Sequence, residues 1–408
     1  MGQTAVQKIL SAHAGGRPLR PGELVWVPVD WACIDDVQWP IFKQAFADLG
    51  GTIKYPDRVI TIADHYLPPS TIDQAETVAE LRAFTRAHDL AHGFFEEGVK
   101  HQVFVEAGLL KPGDLLVATD SHTPTAGAAG TIGIAMGPTE VAGAFAFGDV
   151  WLRVPHTIRV VLDGRLPRMV FAKDVALSML GREGTRFGNY RVLEFSGSAL
   201  DGMSLSDRMT LCNMGTEMGA KATMAAPEAH ECALVVSDPD AEFEREIHVD
   251  VATLEPLVAA PSSPSNVDAV SAFRDVRVDQ AFIGSCANAT YDDLAVVALI
   301  LRGRRVASGV QLIVTPSSIG AYRRAMAEGI VDTLLDANAV VTNPGCGACA
   351  GLHSGVLGPG QVRISSQNRN FVGRSGHRDA HIYLASPAVV AASAITGHIS
   401  DPREVAIG

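Results

Sequence analysis

Gln280-Ala281-Phe282-Ile283-Gly284-Ser285-Cys286-Ala287-Asn288 reads as a short buried strand that runs straight into a polar turn carrying a thiol. The pattern recurs downstream, where an apolar run at 339–342 is followed by Pro344-Gly345-Cys346-Gly347-Ala348-Cys349. Between the two, 292–301 predicts a helix, 311–315 a strand and 319–329 a second helix. Strand–turn–helix units in succession call for a parallel sheet. Ligands in such folds gather where the strands end, and the cysteines stand in those turns.

Outward from there the same alternation holds. Residues 25–29 and 58–62 are short β-rich runs, and 71–87 predicts a helix with Thr71 as its N-cap. A strand at 115–118 leads into Asp120-Ser121-His122-Thr123. The stretch 127–148 is rich in Gly and Ala, which lets backbone pack closely. Further on, 157–162 predicts a strand, and 173–181 and 204–219 predict helices. Residues 258–268 (VAAPSSPSNVD, rich in Pro, Ser and Asn) read as a linker. No repeat of solenoid period is present.

The chain has 408 residues, 47% hydrophobic and 19% charged, so it is globular and long enough for more than one domain. The expected division is 1–155, 156–262 and 263–408. A net charge of -12 argues against nucleic acid as a partner and requires a local basic patch for any anionic substrate. No secretory leader or membrane span is expected, which gives a cytoplasmic reading. Six cysteines are no disulfide scaffold.

By spacing alone the thiols leave three readings open. Cys286, Cys346 and Cys349 are three ligands, one short of the four usual for an electron-transfer cluster, and an iron with an open position can act as a Lewis acid. Zinc would need a fourth ligand, for which His353 stands near. The third reading is a set of buried structural thiols. Cys33, Cys212 and Cys232 lack paired spacing, and the last two read as core.

The ordered motifs go further. Asp64-His65, His101-Gln102, Asp120-Ser121-His122-Thr123, Cys212-Asn213-Met214-Gly215 leading to Glu217, Gly284-Ser285-Cys286, Cys346 with Cys349, and Ser366-Gln367-Asn368-Arg369-Asn370-Phe371 with Gly373-Arg374 follow one another along the chain. In this order they resemble the aconitase superfamily, in particular the large subunits of 3-isopropylmalate dehydratase and homoaconitase. The resemblance implies an α/β fold of three α/β/α domains around a central [4Fe–4S] cluster held by Cys286, Cys346 and Cys349. It implies a hydro-lyase that dehydrates and rehydrates a 2-hydroxy acid, as in leucine biosynthesis. It assigns Asp64 and His65 to protonation of the leaving hydroxyl. Asp120, His122 and Glu217 match positions near the iron-bound water, and His101 matches a further active-site histidine. Arg369 and Arg374 match carboxylate-binding arginines. Ser121, Asn213, Asn288 and Asn368 match polar groups around cluster and substrate.

The family's catalytic serine lies in a swivelling domain with a Gly-Ser-Ser-Arg-like motif, which this sequence lacks; Gly373-Arg374-Ser375-Gly376 does not match it. A small partner subunit is therefore expected to supply the serine. Asp35, Trp39, Lys100, Ala287 and Thr290 depart from the family pattern and are expected to alter the substrate pocket. Rival readings are a hydro-lyase of another substituted malate or of homocitrate, a cluster-binding regulator and a zinc hydrolase.

Overall fold

The computed structural model describes residues 2–227 and 234–405. Its elements fall into three parallel or mostly parallel sheets and one two-stranded ribbon. The first sheet has the order His92–Phe94, Val59–Ile62, Trp31–Asp35, Leu115–Ala118, Ile132–Ala135, all parallel. The second runs Ala222–Ala225, Arg191–Ser196, His156–Asp163, Arg245–Asp250, also parallel. The third has seven strands, of which His381–Ala385, Val362–Ser365, Gln280–Ile283, Gln311–Val314 and Val340–Val341 run parallel. The parallel pairing expected for the last third is present.

Nearly every residue of Val59–Ile62, Leu115–Ala118 and Gln280–Ile283 is buried on both faces. Helices cover each sheet, and continuous apolar runs are the signature of such strands. The helix Ile72–Ala87 begins where expected, with the Thr71 hydroxyl accepting from Gln74 N. The helix expected over 204–219 stops earlier, at Leu205–Met214. Its last stretch unwinds into turns, which place Glu217 away from the helical face.

Small residues in 127–148 are needed for close approach. A Cβ on Gly127 would lie 1.8 Å from Thr223 O, and one on Gly133 would lie 2.1 Å from Thr123 O. A side chain at Gly127 would push the 123–129 turn off the second sheet, and one at Gly133 would push the same turn off the first.

The segment 258–268 is not a free linker. Leu257–Ala259 and Val267–Ala269 pair antiparallel with each other, and Leu257–Ala259 pairs with His381–Ala385. The apolar residues flanking the Pro-Ser turn complete the sheet edge, and only the turn between them is polar. Trp39 is likewise a core residue. Its ring packs on Phe42 and Phe84 at 5.8 and 4.9 Å, and its indole N–H donates to Glu80. Cys212 is buried as expected, and Cys232 lies outside the described residues.

Asp174 joins the second and third sheets. Its carboxylate accepts from Phe171 N and Leu257 N, both at 2.9 Å. Burial nevertheless raises its pKa from the ordinary 3.8 to about 7. The folded chain thus holds a proton here that the unfolded chain has released. That favours folding at acid pH and is lost as pH rises through the window from 3.8 to about 7. The stability penalty of Asp174→Asn is expected to shrink across this window, read as urea midpoints at about pH 5 and about pH 8.

Candidate active site

The first and third sheets aim the carboxyl ends of their strands at one cleft. Asp35 ends one strand of the first sheet, while Asp64 and Asp120 follow Ile62 and Ala118 on its two neighbours. Cys286 follows Ile283 and Asn368 follows Ser365 in the third sheet. The two halves are stitched together by backbone bonds, Cys346 N to Asp64 O at 3.0 Å and Val99 N to Ser317 O at 2.8 Å. The second sheet contributes Asn213 and Glu217 from its long helix and the turn that follows.

The thiol turns need unusual backbone. Ser285 and Ala289 have φ of 79° and 71°, on either side of Cys286. Gly347 has φ 56°, and a Cβ there would lie 2.5 Å from Thr315 Oγ1. Non-glycine residues in the left-handed region carry strain that the surrounding structure must hold. Here Asn368 and Asn213 do so. Ser285 Oγ donates to Asn368 Oδ1 at 2.9 Å, Asn213 Nδ2 donates to Cys286 Sγ at 3.3 Å, and Asn368 Nδ2 bonds Asn213 Oδ1. Buried Arg363 ties the second turn down, donating to Ala348 O at 3.1 Å and to Gly355 O.

Two histidine–carboxylate sets face the thiols. His65 Nδ1 lies 2.9 Å from Asp64 Oδ1 and 3.1 Å from Asp36 Oδ1, and Asp36 also accepts from the backbone N of His65 and Tyr66. Burial alone would lower the His65 pKa, but Cys346, Asp64 and Asp36 outweigh it and hold the ring well above its ordinary range. Asp64 is driven the other way. Burial would raise it, yet Lys100 and His65 lower it to about 2. His122 Nε2 lies 2.9 Å from Glu217 Oε1, and Glu217 also meets Arg369 Nε at 2.8 Å. Burial disfavours the Cys286 thiolate, but His122 and His101 hold its pKa well below the usual thiol range. Arg374 Nη2 lies 3.8 Å from Cys349 Sγ.

The cleft between these groups has a volume of about 240 Å³ and is lined by His65, Asp120, Ser121, His122, Arg369 and Arg374, with Val37, Ala350 and Leu352 as its apolar wall. A larger cavity of about 640 Å³ opens on the other side of Thr119 and Ser121. It is lined by no histidine or arginine, whereas the smaller cleft has two of each, so the chemistry lies in the smaller cleft.

Buried polar atoms without a hydrogen-bond partner include His101 Nε2, Asn288 Oδ1 and Arg374 Nε, all around the thiol turns. Native structures rarely leave such atoms unpaired. The described cysteines are free thiols. Among the described residues, the donor groups within 4.8 Å of one another are Asp64 with His65 and Cys346, and Asp35 with Asp36 and His65. The three thiols therefore do not close on a single point, as one zinc ion would require at its bond length of about 2.3 Å. His353, the expected fourth zinc ligand, instead bonds Pro68 O at 2.8 Å and Ser354 Oγ at 3.0 Å. Three separated thiols with amide and guanidinium donors to sulfur fit a multi-iron cluster.

A family model described as Aconitase family (aconitate hydratase) matches residues 7–236 and 266–397. The chain belongs to the aconitase family. It is 42% identical over 416 residues to the 3-isopropylmalate dehydratase large subunit 1 of Methanopyrus kandleri, covering 99% of both chains. The homoaconitase large subunit of Thermus thermophilus is 42% identical over 414 residues, covering 99% of this chain and 98% of its own. Among solved structures, the holo-form of aconitase X from Thermococcus kodakaraensis aligns with a TM-score of 0.55 at 15% identity, covering 92% of this chain and 93% of that one. At that identity the match speaks for the fold alone.

Of the aconitase-type positions, His65, Asp120, Ser121, His122, Arg369 and Arg374 line the cleft, Asp64, His101, Glu217, Cys346 and Cys349 adjoin them, Asn213 and Asn368 bond the Cys286 turn, and Asn288 turns to Asp293. The departures divide. Asp35 lines the cleft and pairs with Lys100. Trp39 does not reach it, and Thr290 is the N-cap of helix Tyr291–Leu301. Ala287 is buried, and its carbonyl accepts from Thr210 Oγ1 at 2.7 Å. The pocket change expected at Trp39 and Thr290 is therefore replaced by packing and capping roles. Sequence reasoning missed Asp36 and Arg363. The adjacent acid at 35–36 was the available signal for Asp36; a buried arginine has none.

Proposed function

We propose that this chain is the large subunit of a hydro-lyase that isomerises a 2-hydroxy dicarboxylic acid, with 3-isopropylmalate as the first candidate, and that it holds a [4Fe–4S] cluster on Cys286, Cys346 and Cys349. One observation carries the reading: the thiols stand directly behind a cleft lined by His65, His122, Arg369 and Arg374, with Cys346 within 4.8 Å of His65 and Asp64 and Cys349 Sγ 3.8 Å from Arg374 Nη2. When bound, such a cluster would supply a Lewis acid for a hydroxyl and a carboxylate at the iron lacking a cysteine.

The chain's own groups do the rest. Arg369 and Arg374 present planar guanidinium forks to the substrate carboxylates. His65, oriented by Asp64 and Asp36, holds a proton for the departing hydroxyl. Glu217 keeps His122 and Arg369 in register. Asn213 and Asn368 hold the Cys286 turn in its strained form. Val37, Ala350 and Leu352 offer an apolar wall to a branched alkyl substituent. Homocitrate-type tricarboxylates are the second candidate, since the homoaconitase subunit of T. thermophilus is as similar as the M. kandleri dehydratase subunit. We assign domains to 1–155, 156–262 and 263–408, which hold the first, second and third sheets in turn, except that strand Leu257–Ala259 of the third sheet precedes the last boundary. No helix among the described residues is long and apolar enough to cross a membrane, and we place the protein in the cytoplasm.

The proton-abstracting serine is assigned to a small partner subunit. The test is turnover of 3-isopropylmalate and homocitrate, followed by ultraviolet absorbance of the unsaturated acid, for the chain alone and co-expressed with a small subunit. The cluster-loaded chain alone is expected to be slower by at least about 10²-fold, the usual effect of a missing general base. Full activity of the chain alone would contradict the partner assignment, and inactivity of the complex on both acids would contradict the substrate class.

A further inference from the structure

Asp35, Asp64 and Asp120 stand at the ends of three adjacent strands, and one ammonium meets all three. Lys100 Nζ lies 2.8 Å from Asp35 Oδ2, 3.2 Å from Asp120 Oδ2 and 3.6 Å from Asp64 Oδ1, and the lysine side chain is wholly buried. Lys100 begins the helix Lys100–Glu106, and its backbone N also donates to Asp64 Oδ2 at 3.0 Å. Lysine is almost never fully buried unless paired, and three carboxylates this close would repel one another without a cation among them.

The aspartates differ in what else they touch. Asp64 Oδ1 lies 2.9 Å from His65 Nδ1. Asp120 lies 3.9 Å from His65 Nε2, 3.7 Å from His101 Nε2 and 3.6 Å from His122 Nδ1. Asp35 lies within 4.8 Å of a His65 ring nitrogen but forms no ion pair with these three rings. Its oxygens accept from Lys100, from Thr119 Oγ1 at 2.7 Å and from Gln38 N at 3.0 Å. Lys100 is not part of the cleft lining, so it reaches the cleft only through these aspartates.

We infer that Lys100 is a positioning residue, which with Asp35 as its counter-charge fixes Asp64 and Asp120 in the orientation that aims His65, His101 and His122 into the cleft. Lys100 and Asp35 form one neutral unit. Removing the ammonium alone leaves three carboxylates without their shared cation; removing both charges leaves two. The inference rests on the proposed proton-donor role of His65.

The test is a comparison of Lys100→Met, Asp35→Asn and the double variant in the complex with the small subunit, with rates expressed per cluster-loaded complex. Lys100→Met is expected to lower kcat by at least about 10²-fold with KM within about threefold, because Arg369 and Arg374 are untouched. Adding Asp35→Asn should recover at least about tenfold in kcat. Should Lys100→Met fail to fold, Lys100→Gln, which keeps a donor without the charge, takes its place with the same expected split. Unchanged kcat, or a double variant no better than the single one, overturns the inference. An inactive wild-type complex would contradict the functional reading instead. The positioning claim is then read from ring 15N resonances of the histidine-labelled chain, which should shift in Lys100→Met and return in the double variant. Resonances that stay in place overturn it.

Discussion

Cys346→Ser is expected to strip the chain of iron and abolish turnover. Cys346, a proposed ligand, joins the two halves of the site. Its backbone N bonds Asp64 O at 3.0 Å, and its thiol belongs to the Asp64–His65 donor group. A serine hydroxyl is a poor substitute for a thiolate toward iron and sulfide. Two remaining thiols would not retain the cluster, and the loss of several kcal/mol of Lewis-acid stabilisation corresponds to at least about 10³-fold in rate. Iron and acid-labile sulfide analysis alongside turnover is the measurement. Cys212→Ala is the contrasting variant. That thiol sits in the second sheet's core, where burial pushes its pKa up to about 12, and its loss should leave the iron content unchanged. Retention of iron and activity in Cys346→Ser would remove this residue from the ligand set.

The second large effect is expected at His65. Replacement by Gln keeps a polar group of similar reach but removes the transferable proton, and kcat should fall by about 10²–10⁴-fold, the usual contribution of a general acid. KM should change little, because Arg369 and Arg374, the proposed carboxylate binders, are untouched. Asp64→Asn should act in the same direction but less strongly. Asp36 would still orient the ring from 3.1 Å while the nearest negative charge is lost. Steady-state kinetics of the complex separates the two parameters. A rise in KM with kcat intact would make His65 a binding group instead.

The sequence carried three strands of the third sheet, at 280–283, 311–315 and 339–342, because each is a short apolar run set in strand–turn–helix alternation; Val362–Ser365, with Arg363 buried inside it, and His381–Ala385 gave no such signal. It carried the first sheet less well. Trp31–Asp35, the central strand, ends in two acids and mixes Trp with Cys, so its β character is hidden by the chemistry at its end. The strand pair around 261–266 was hidden for the opposite reason. Three-residue strands leave little apolar signal beside a Pro- and Ser-rich turn, and only the waiting edge of His381–Ala385 gives them a partner. At the site, motifs with a fixed order named the thiols, histidines and arginines. What they could not show was compensation. Lys100 and Asp35 look like two unrelated departures 65 positions apart, and only the fold sets them 2.8 Å apart as one ion pair. Thr290 and Trp39 look like pocket changes for the same reason, and neighbours invisible in the chain turn them into a cap and a core ring.

The most direct measurement is elemental and sulfide analysis of the chain purified without oxygen, read with its visible absorption. The expected result is a brown protein with about four iron and about four acid-labile sulfide per chain, the stoichiometry of a cubane cluster. A colourless chain that holds zinc and no sulfide would contradict the cluster assignment, and with it the hydro-lyase reading built upon it.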